Sequence, residues 1–486
     1  MDEDENYYAF VEFFKPNKIV LIQPSLSLEP ILYQALRELR NEFDFNPSFR
    51  GKSYPNAQQY KFIGGITSQT IFARRCVKKI LEAFFINGFD FVSSVRALRK
   101  SKETLIFRKV TDERRNWTPH FACLVFDTQS GGEYCQVKIL DGKENNFLSA
   151  VRSSLETYFP KKFHGEKVLW METEEGLYWK MRFKDSLSVF TCEKKTLLFT
   201  QNFLANLYTK GWKIVAHFNG NRNSWSDTLY FAYTESLFRL SDTAFLSNMN
   251  FATILVSSQA KIACGLDPRF PMTTDSPYIF TIDEEEKEVV DLLISVQEAN
   301  KWTVHTFNMF KQWCAFLENL SKFHWDFAHE IRFGARKSVI FGQDSFNATS
   351  LFKQFACIVF TPSTHLFFVN FHHFREIRAY LTNLSLPFDY VLQFQHGPGI
   401  NVEKVVWAAT RETNSIKFWT FMLHLLNWLY QHGWKLEMTE TFNHSSFHTW
   451  FFSTTGDPHA PSAPTGFPRY DPLAPPSYEE ALGLRP

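Results

Sequence analysis

The sequence predicts an α+β fold: a tandem duplication of modules that combine a helix with an antiparallel or mixed sheet, followed by a disordered proline-rich tail. Three observations support this prediction. Aromatic residues form 17% of the 486 residues, which is typical of a compact globular body because each such side chain buries a large area. Several apolar segments recur in the same order along the chain. Proline, which fixes φ and removes a backbone donor, is concentrated in residues 456–486.

The N-terminal segment, residues 1–59, is expected to contribute strand and helix elements that pack on the first half of the body. Its first six residues, MDEDEN, are acidic and lack the basic and apolar regions of a secretory signal peptide. Asp2 occupies the position at which N-myristoylation requires glycine. These features predict a cytoplasmic chain that does not carry this lipid anchor.

Ordered sequence matches predict two related α+β halves, residues 60–235 and 300–455, joined by a connecting segment, residues 236–299. Three segments of the first half recur in the second half: HFACLVF as QFACIVF, EKVLW as EKVVW, and LANLYTKGWKI as LNWLYQHGWKL. All three pairs keep the same order along the chain. A duplication explains this better than chance does.

Each half contains a smaller module twice: a helix, a Gly-aromatic turn, a strand, a loop and a second strand. Gly88, Gly211 and Gly433 stand where a helix C-terminus favours a residue with positive φ. The aromatic residue that follows each turn is expected to fold back into the core. Between the modules, β-hairpins are predicted at about 120–139 and 354–371. This alternation predicts a sheet in each half with helices covering one face.

The body contains no motif that would indicate an enzyme. The sequence lacks a phosphate-binding glycine loop, a G-x-S-x-G nucleophile turn and an H-E-x-x-H metal motif. Its seven cysteines are scattered without zinc-ligand spacing, which predicts reduced core thiols. Lys and Arg total 52 against 51 for Asp and Glu, so nothing indicates a nucleic acid partner. We expect no catalytic residue, no cofactor and no metal site.

Three groups of histidines are candidate sites, and each has a simpler structural explanation. His372 and His373 follow a hairpin strand, where adjacent side chains point to opposite faces. His444 and His448 flank a serine-rich segment that favours a solvated turn, and His396 opens the loop sequence HGPG.

The tail contains a motif for WW domains. Pro475, Pro476 and Tyr478 form P-P-x-Y, in which polyproline II residues enter an aromatic groove and the tyrosine fills a second pocket. The surrounding phrase, PPSYEE, resembles the segments through which endosomal and lysosomal adaptors recruit HECT-type ubiquitin ligases that bear WW domains. This resemblance implies the same class of partner for the tail.

A second motif precedes the first in the same tail. Pro461, Ser462, Ala463 and Pro464 match P-[ST]-A-P, which resembles the late-domain peptide bound by the UEV domain of the ESCRT-I complex. Two such motifs in one proline-rich segment indicate a role in recruiting these partner domains more strongly than either motif alone.

The module pattern of residues 8–455 resembles the raftlin family of lipid-raft scaffold proteins, which also repeat a helix, a Gly-aromatic turn and a strand. Raftlins carry an N-terminal Gly-Cys acylation site, and this chain has Asp2-Glu3 there. The resemblance implies a non-enzymatic scaffold in membrane trafficking whose lipid anchor is missing or replaced.

Taken with the tail motifs, these patterns predict a non-enzymatic adaptor in membrane trafficking or ubiquitin-dependent sorting. Its location would be cytoplasmic, with or without peripheral contact to endosomal or plasma membranes. One alternative is a viral matrix or accessory protein that uses both motifs for budding. Another is an enzyme whose site is built from residues distant in sequence.

Overall fold

The structure is a computed structural model, and it describes the following residues: 7–14, 18–22, 28–39, 45–50, 57–62, 71–95, 101–110, 120–128, 134–140, 146–158, 169–173, 176–184, 203–204, 206–218, 226–233, 250–256, 262–266, 310–311, 313–315, 317–318, 321, 325–333, 336–343, 353–361, 365–386, 390–396, 402–409, 415–441 and 448–455. The tail, residues 456–486, lies outside these ranges.

Strands and helices fall into four consecutive units, each with its own sheet. Unit 1 contains β1 (Tyr8–Phe14), β2 (Lys18–Ile22), α1 (Glu29–Glu38), β3 (Phe45–Arg50), β4 (Ala57–Phe62), α2 (Ile71–Ile86), β5 (Phe89–Val95) and β6 (Ser101–Lys109). Unit 2 contains β7 (Phe121–Thr128), β8 (Tyr134–Leu140), α3 (Phe147–Tyr158), β9 (Leu169–Thr173), β10 (Gly176–Lys184), β11 (Trp212–Phe218) and β12 (Ser226–Tyr233). Helical residues also occur at 203–204 and 206–209.

Unit 3 contains β13 (Asn250–Val256), β14 (Ile262–Leu266), β15 (Trp325–Phe333) and β16 (Arg336–Gln343). Helical residues precede β15 at 310–311, 313–315, 317–318 and 321. Unit 4 contains β17 (Gln354–Thr361), β18 (His365–Val369), α4 (Phe374–Asn383), β19 (Tyr390–His396), β20 (Val402–Ala409), α5 (Ser415–Gln431), β21 (Lys435–Thr441) and β22 (His448–Thr454).

The three six-stranded sheets have the same strand order. The orders are β3-β4-β2-β1-β6-β5, β9-β10-β8-β7-β12-β11 and β19-β20-β18-β17-β22-β21. The sheet of unit 3 has the order β14-β13-β16-β15. Every ladder among the described strands is antiparallel. The α+β prediction is confirmed, and antiparallel pairing is the form that the sheets take. The boundary predicted at 59/60 falls inside β4, which belongs to the same sheet as β1.

One edge strand of each sheet lies against the edge strands of its neighbours. These inner edge strands are β5, β11, β15 and β21, and they contact one another in a closed cycle, so that β21 returns to β5. Each has a β-bulge near its start, where the register shifts at Phe91/Ser93, Ile214/Ala216, Phe327/His329 and Leu436/Met438. Because a bulge bends and twists a strand, its recurrence gives the four inner edges a common curvature.

The Gly-aromatic turns have the predicted geometry. Gly88, Gly211 and Gly433 have φ of 82°, 86° and 83°, a region that side chains other than glycine rarely adopt. At Gly211 an added Cβ would lie 2.8 Å from the ring of Tyr233. The aromatic residues that follow, Phe89, Trp212 and Trp434, are buried, which confirms them as core residues.

Helices lie between sheets, so the sheet of unit 1 is covered on both faces. Its own helices pack on one face, where Val11 shares a core with Val77 of α2 and Cys123 of unit 2. On the other face Phe10 packs with Trp419 of α5. The prediction that helices cover one face of each sheet was therefore wrong for this sheet. The strand sequence YAFVEFF is consistent with this, because it is apolar at every position except the buried Glu12, and strands buried on both faces are mainly apolar.

The two helices of unit 4 show how burial follows sequence. In α4 the buried residues, Ile377 and Leu381, are four positions apart and form a single apolar stripe. By contrast, α5 is buried nearly all around, with Trp419, Met422 and Leu426 among its fully covered side chains. A helix that is apolar all around is typical of a position between two sheets.

Candidate functional site

The predicted recognition residues of the tail lie outside the described residues. They are Pro475, Pro476 and Tyr478 of the WW motif and Pro461, Ser462, Ala463 and Pro464 of the UEV motif. The described chain ends one residue before the tail begins. β22, the last strand, lies between β17 and β21 and pairs Thr454 with Gln354. The tail is therefore joined to an interior strand of the unit 4 sheet.

Within the body, polar side chains are concentrated where units 1 and 4 meet. We call this contact the closing seam, and it comprises Tyr7, Tyr8, Phe10, Ser93 and Arg108 of unit 1 with Trp419, Asn427, Leu436, Glu437 and Thr439 of unit 4. The Asn427 side-chain oxygen accepts hydrogen bonds from the backbone N–H groups of Tyr7 and Tyr8, both at 3.0 Å. An amide in the apolar helix α5 thus binds the beginning of the first strand.

The backbone of Leu436 is held by two side chains of unit 1. Its N–H donates to the Tyr8 hydroxyl at 3.0 Å, and its carbonyl accepts from Arg108 Nη1 at 2.7 Å. Burial raises the pKa of Tyr8 to about 12, so the phenol stays protonated at neutral pH. Leu436 precedes the bulge of β21, and a bulge leaves backbone groups outside the ladder. Unit 1 supplies partners for these groups.

Two further contacts complete the closing seam. Ser93 Oγ and Thr439 Oγ1, on inner edge strands of units 1 and 4, are 2.6 Å apart and share a hydrogen bond. The rings of Phe10 and Trp419 pack edge to face with centroids 5.2 Å apart. Aromatic pairs of this kind contribute about 0.5–1.5 kcal/mol beyond the area they bury.

A carboxylate with several cationic neighbours occupies the bulge itself. Glu437 accepts a hydrogen bond from Ser453 Oγ at 2.6 Å and lies 3.6 Å from the ammonium groups of Lys353 and Lys435. Burial alone would raise the pKa of Glu437, but Lys435, Lys353, Arg108 and the Ser453 hydrogen bond together lower it. The group is therefore ionised at neutral pH and stabilises the charges around it.

A second polar contact, the first seam, joins Arg74 of α2 to Thr228 and Tyr230 of unit 2. Arg74 Nε donates to Thr228 Oγ1 at 3.0 Å, and the Tyr230 hydroxyl donates to the Arg74 carbonyl at 3.1 Å. Arg74 is 2% exposed. Burial raises the pKa of Tyr230 well above its ordinary value, so this phenol also stays protonated and acts as a donor.

Four described cysteines are buried and form no disulfide: Cys76, Cys123, Cys314 and Cys357. Burial raises the pKa of Cys76, and burial together with the neighbouring Cys314 raises that of Cys357. Thiols of this kind stay protonated at neutral pH and are poor nucleophiles. The prediction that the cysteines lie in the core is confirmed for these four residues.

The histidines occupy different environments from one another. His448 was predicted in a solvated turn, and this was wrong: it is 1% exposed, begins β22 and stacks on Phe360. His373 precedes α4 and lies 3.9 Å from Glu376, while the His396 side chain is 96% exposed. Among the described residues, no three His, Cys, Asp or Glu side chains are grouped so that they could hold a metal ion.

Sequence comparison finds one family model, for an uncharacterised domain, that matches residues 354–453. The match begins at the first residue of β17 and ends one residue before the end of β22, so it corresponds to unit 4. No curated protein and no solved structure matches the chain. Within the part of the chain that the structure describes, no helix combines the length and the apolar character needed to cross a bilayer.

Proposed function

We propose that this chain is a non-enzymatic adaptor in membrane trafficking or ubiquitin-dependent sorting. The observation that carries the proposal is the presence of two different recruitment motifs in one proline-rich tail. Pro475, Pro476 and Tyr478 bind the WW domains of HECT-type ubiquitin ligases, and residues 461–464 bind the UEV domain of ESCRT-I. The adaptor works in the cytoplasm and contacts endosomal or plasma membranes peripherally.

The composition of the tail suits this role. Proline fixes φ near the polyproline II value before binding, so the ordering cost on entering a WW groove is small. Residues 465–474 separate the two tetrapeptides, which lets two small domains approach the same tail. The join to β22 fixes one end of the tail to the folded body.

We further propose that the body arose by repetition, with residues 60–235 and 300–455 as its related halves. Two features support repetition: the strand order shared by the three six-stranded sheets, and the bulge near the start of every inner edge strand. A repeated body offers several similar surfaces, and we assign to it the binding of cargo or of another partner.

The proposal is tested with the full-length chain and two isolated domains, a WW domain of a HECT-type ligase and the UEV domain of ESCRT-I. We expect Tyr478→Ala to abolish WW binding and to leave UEV binding unchanged, because it empties only the tyrosine pocket. Pro464→Ala should have the reverse effect. Affinities should be micromolar, as is typical of short extended ligands that become ordered on binding. Isothermal titration calorimetry with each isolated domain measures the WW affinity and the UEV affinity.

Matched substitutions in the same tail serve as controls. Tyr470→Ala removes a tyrosine outside the WW motif, and Pro468→Ala removes a proline outside the UEV motif, so both should leave binding unchanged. Equal WW affinity for the wild type and Tyr478→Ala would show that the motif is not used. The adaptor proposal would then lose its main support.

A further inference from the structure

The outer edges of the four sheets differ in how they are protected against pairing with another chain. An unprotected edge strand presents free N–H and C=O groups, and natural proteins guard against this with charge, proline, bulges or shortness. β3 contains Pro47 and Arg50, and its register is broken between them. β9 has five residues including Glu172, and β14 has five residues including Gly265.

β19 has none of these protections. It runs for seven residues, YVLQFQH, with no Asp, Glu, Lys or Arg, no proline and no glycine. Its register with β20 is regular over all seven pairs, from Tyr390 to His396. Its other edge pairs with no strand among those that the structure describes. Val391 is 52% exposed, and Gln393 and Gln395 are exposed on the same face.

The opposite face of β19 is already supported by unit 4. Leu392 and Phe394 pack against the unit 4 core, and the Arg378 guanidinium of α4 lies 5.0 Å from the Phe394 ring centroid. This packing holds the strand in place against unit 4. A strand that is held in place loses little conformational entropy when another strand pairs with it.

We propose that β19 pairs in antiparallel fashion with β19 of a second copy of this chain, about a two-fold axis at Gln393. In this register Gln393 faces its own counterpart, Val391 faces Gln395, and Leu392 faces Phe394. Apolar residues meet apolar residues on the α4 side, and amides can form hydrogen bonds across the axis on the other. No like charges face each other, so the strand is complementary to itself, as a two-fold interface requires.

The pairing would join two six-stranded sheets into one continuous twelve-stranded sheet. This inference does not depend on the adaptor proposal, because no residue of the tail takes part in the contact.

The full-length chain is tested by sedimentation equilibrium, with a monomer mass of 57.0 kDa. We expect the wild type to reach twice that mass as concentration rises to about 100 μM, where a complex of micromolar Kd is mostly formed. Gln393→Lys places two ammonium groups opposite each other and should raise the dimer Kd about tenfold. Gln34→Lys, the same change on the exposed side of α1, should leave the Kd unchanged.

A mixing experiment excludes misfolding as the cause. Gln393→Lys and Gln393→Glu should each be weakened alone, and an equal mixture should form a heterodimer at least as tight as the wild-type dimer. Hydrogen exchange on the wild type should show protection of residues 390–396 that increases with concentration. A monomeric wild type at about 100 μM would overturn the proposal. So would a dimer that Gln393→Lys does not weaken.

Discussion

The first seam and the closing seam both join two units through polar contacts, but they use different kinds of residues to do so. At the first seam, the helix residue Arg74 connects units that are consecutive in sequence. At the closing seam, side chains bind the backbone of β1 and β21. These two strands are in contact although they are separated by more than 400 residues along the sequence.

Loop length alone does not explain this difference. The entropy of closing a loop grows only as (3/2)RT ln n, so increasing the separation from 154 to 428 residues costs about 1 kcal/mol more. A single additional hydrogen bond would offset that cost. The closing seam has several, and they converge on the beginning of the interior strand β1 and on the bulged edge strands β5 and β21. We infer that these contacts satisfy exposed backbone groups and fix the register between the first and last units.

The largest expected effect comes from emptying an aromatic site at the closing seam. Trp419→Ala should lower the free energy of unfolding by about 3–5 kcal/mol, as expected for a buried tryptophan. Trp212→Ala should cost a similar amount, because that ring packs on Phe147 and Tyr233 inside unit 2. The two variants differ in location: hydrogen exchange at β1 should accelerate only with Trp419→Ala, which removes the partner of Phe10. Equal acceleration in both would contradict a distinct closing seam.

Local chemistry made parts of the fold predictable from sequence. The turns at Gly88, Gly211 and Gly433 were recognised because positive φ and the following aromatic residue are properties of adjacent residues. The sequence matches that begin at His120 and Gln354 align β7 with β17, the first strands of units 2 and 4. β1 to β4 carry no comparable match, which explains why the first unit was split at residue 59.

The seams could not be predicted because their residues have ordinary local patterns. Asn427 is one polar residue in an apolar helix, and Glu437 is one acid in a strand beside a lysine. His448 was misplaced because the serines before it favour a turn, whereas Phe360 and the rings around it bury it. Such roles are set by residues hundreds of positions away, and a single sequence does not reveal which surfaces will meet.

A smaller effect is expected at the Asn427 side chain. Asn427→Leu keeps the size of the side chain but removes the oxygen that accepts hydrogen bonds from the N–H groups of Tyr7 and Tyr8. Loss of the acceptor of the buried Tyr8 N–H costs about 1–3 kcal/mol, and the partly buried Tyr7 N–H adds less, so we expect a loss of about 2–4 kcal/mol in urea denaturation. Asn383→Leu makes the same change on the exposed side of α4 and should cost less than about 1 kcal/mol. Equal losses would mean that Asn427 does not hold β1.

The smallest effect, and the one that depends on pH, is expected at Glu437. Because its pKa is lowered in the folded protein, it binds fewer protons there than in the unfolded chain near the ordinary glutamate pKa of about 4.3. Its stabilisation is therefore fully present above that value and is lost as pH falls through the folded pKa. Glu437→Gln keeps an oxygen for Ser453 but loses the charge, which should cost about 1 kcal/mol at pH 7.

The decisive measurement is the difference between wild type and Glu437→Gln in urea denaturation at pH 7 and at successively lower pH below about 5. That difference should shrink towards zero as Glu437 becomes protonated. Glu376→Gln removes an exposed carboxylate near His373 and provides the control, with a difference close to zero at every pH. If the Glu437→Gln difference stayed constant down to the acid limit, the cations around Glu437 would not stabilise its charge. The bulge of β21 would then contribute to the closing seam through backbone geometry alone.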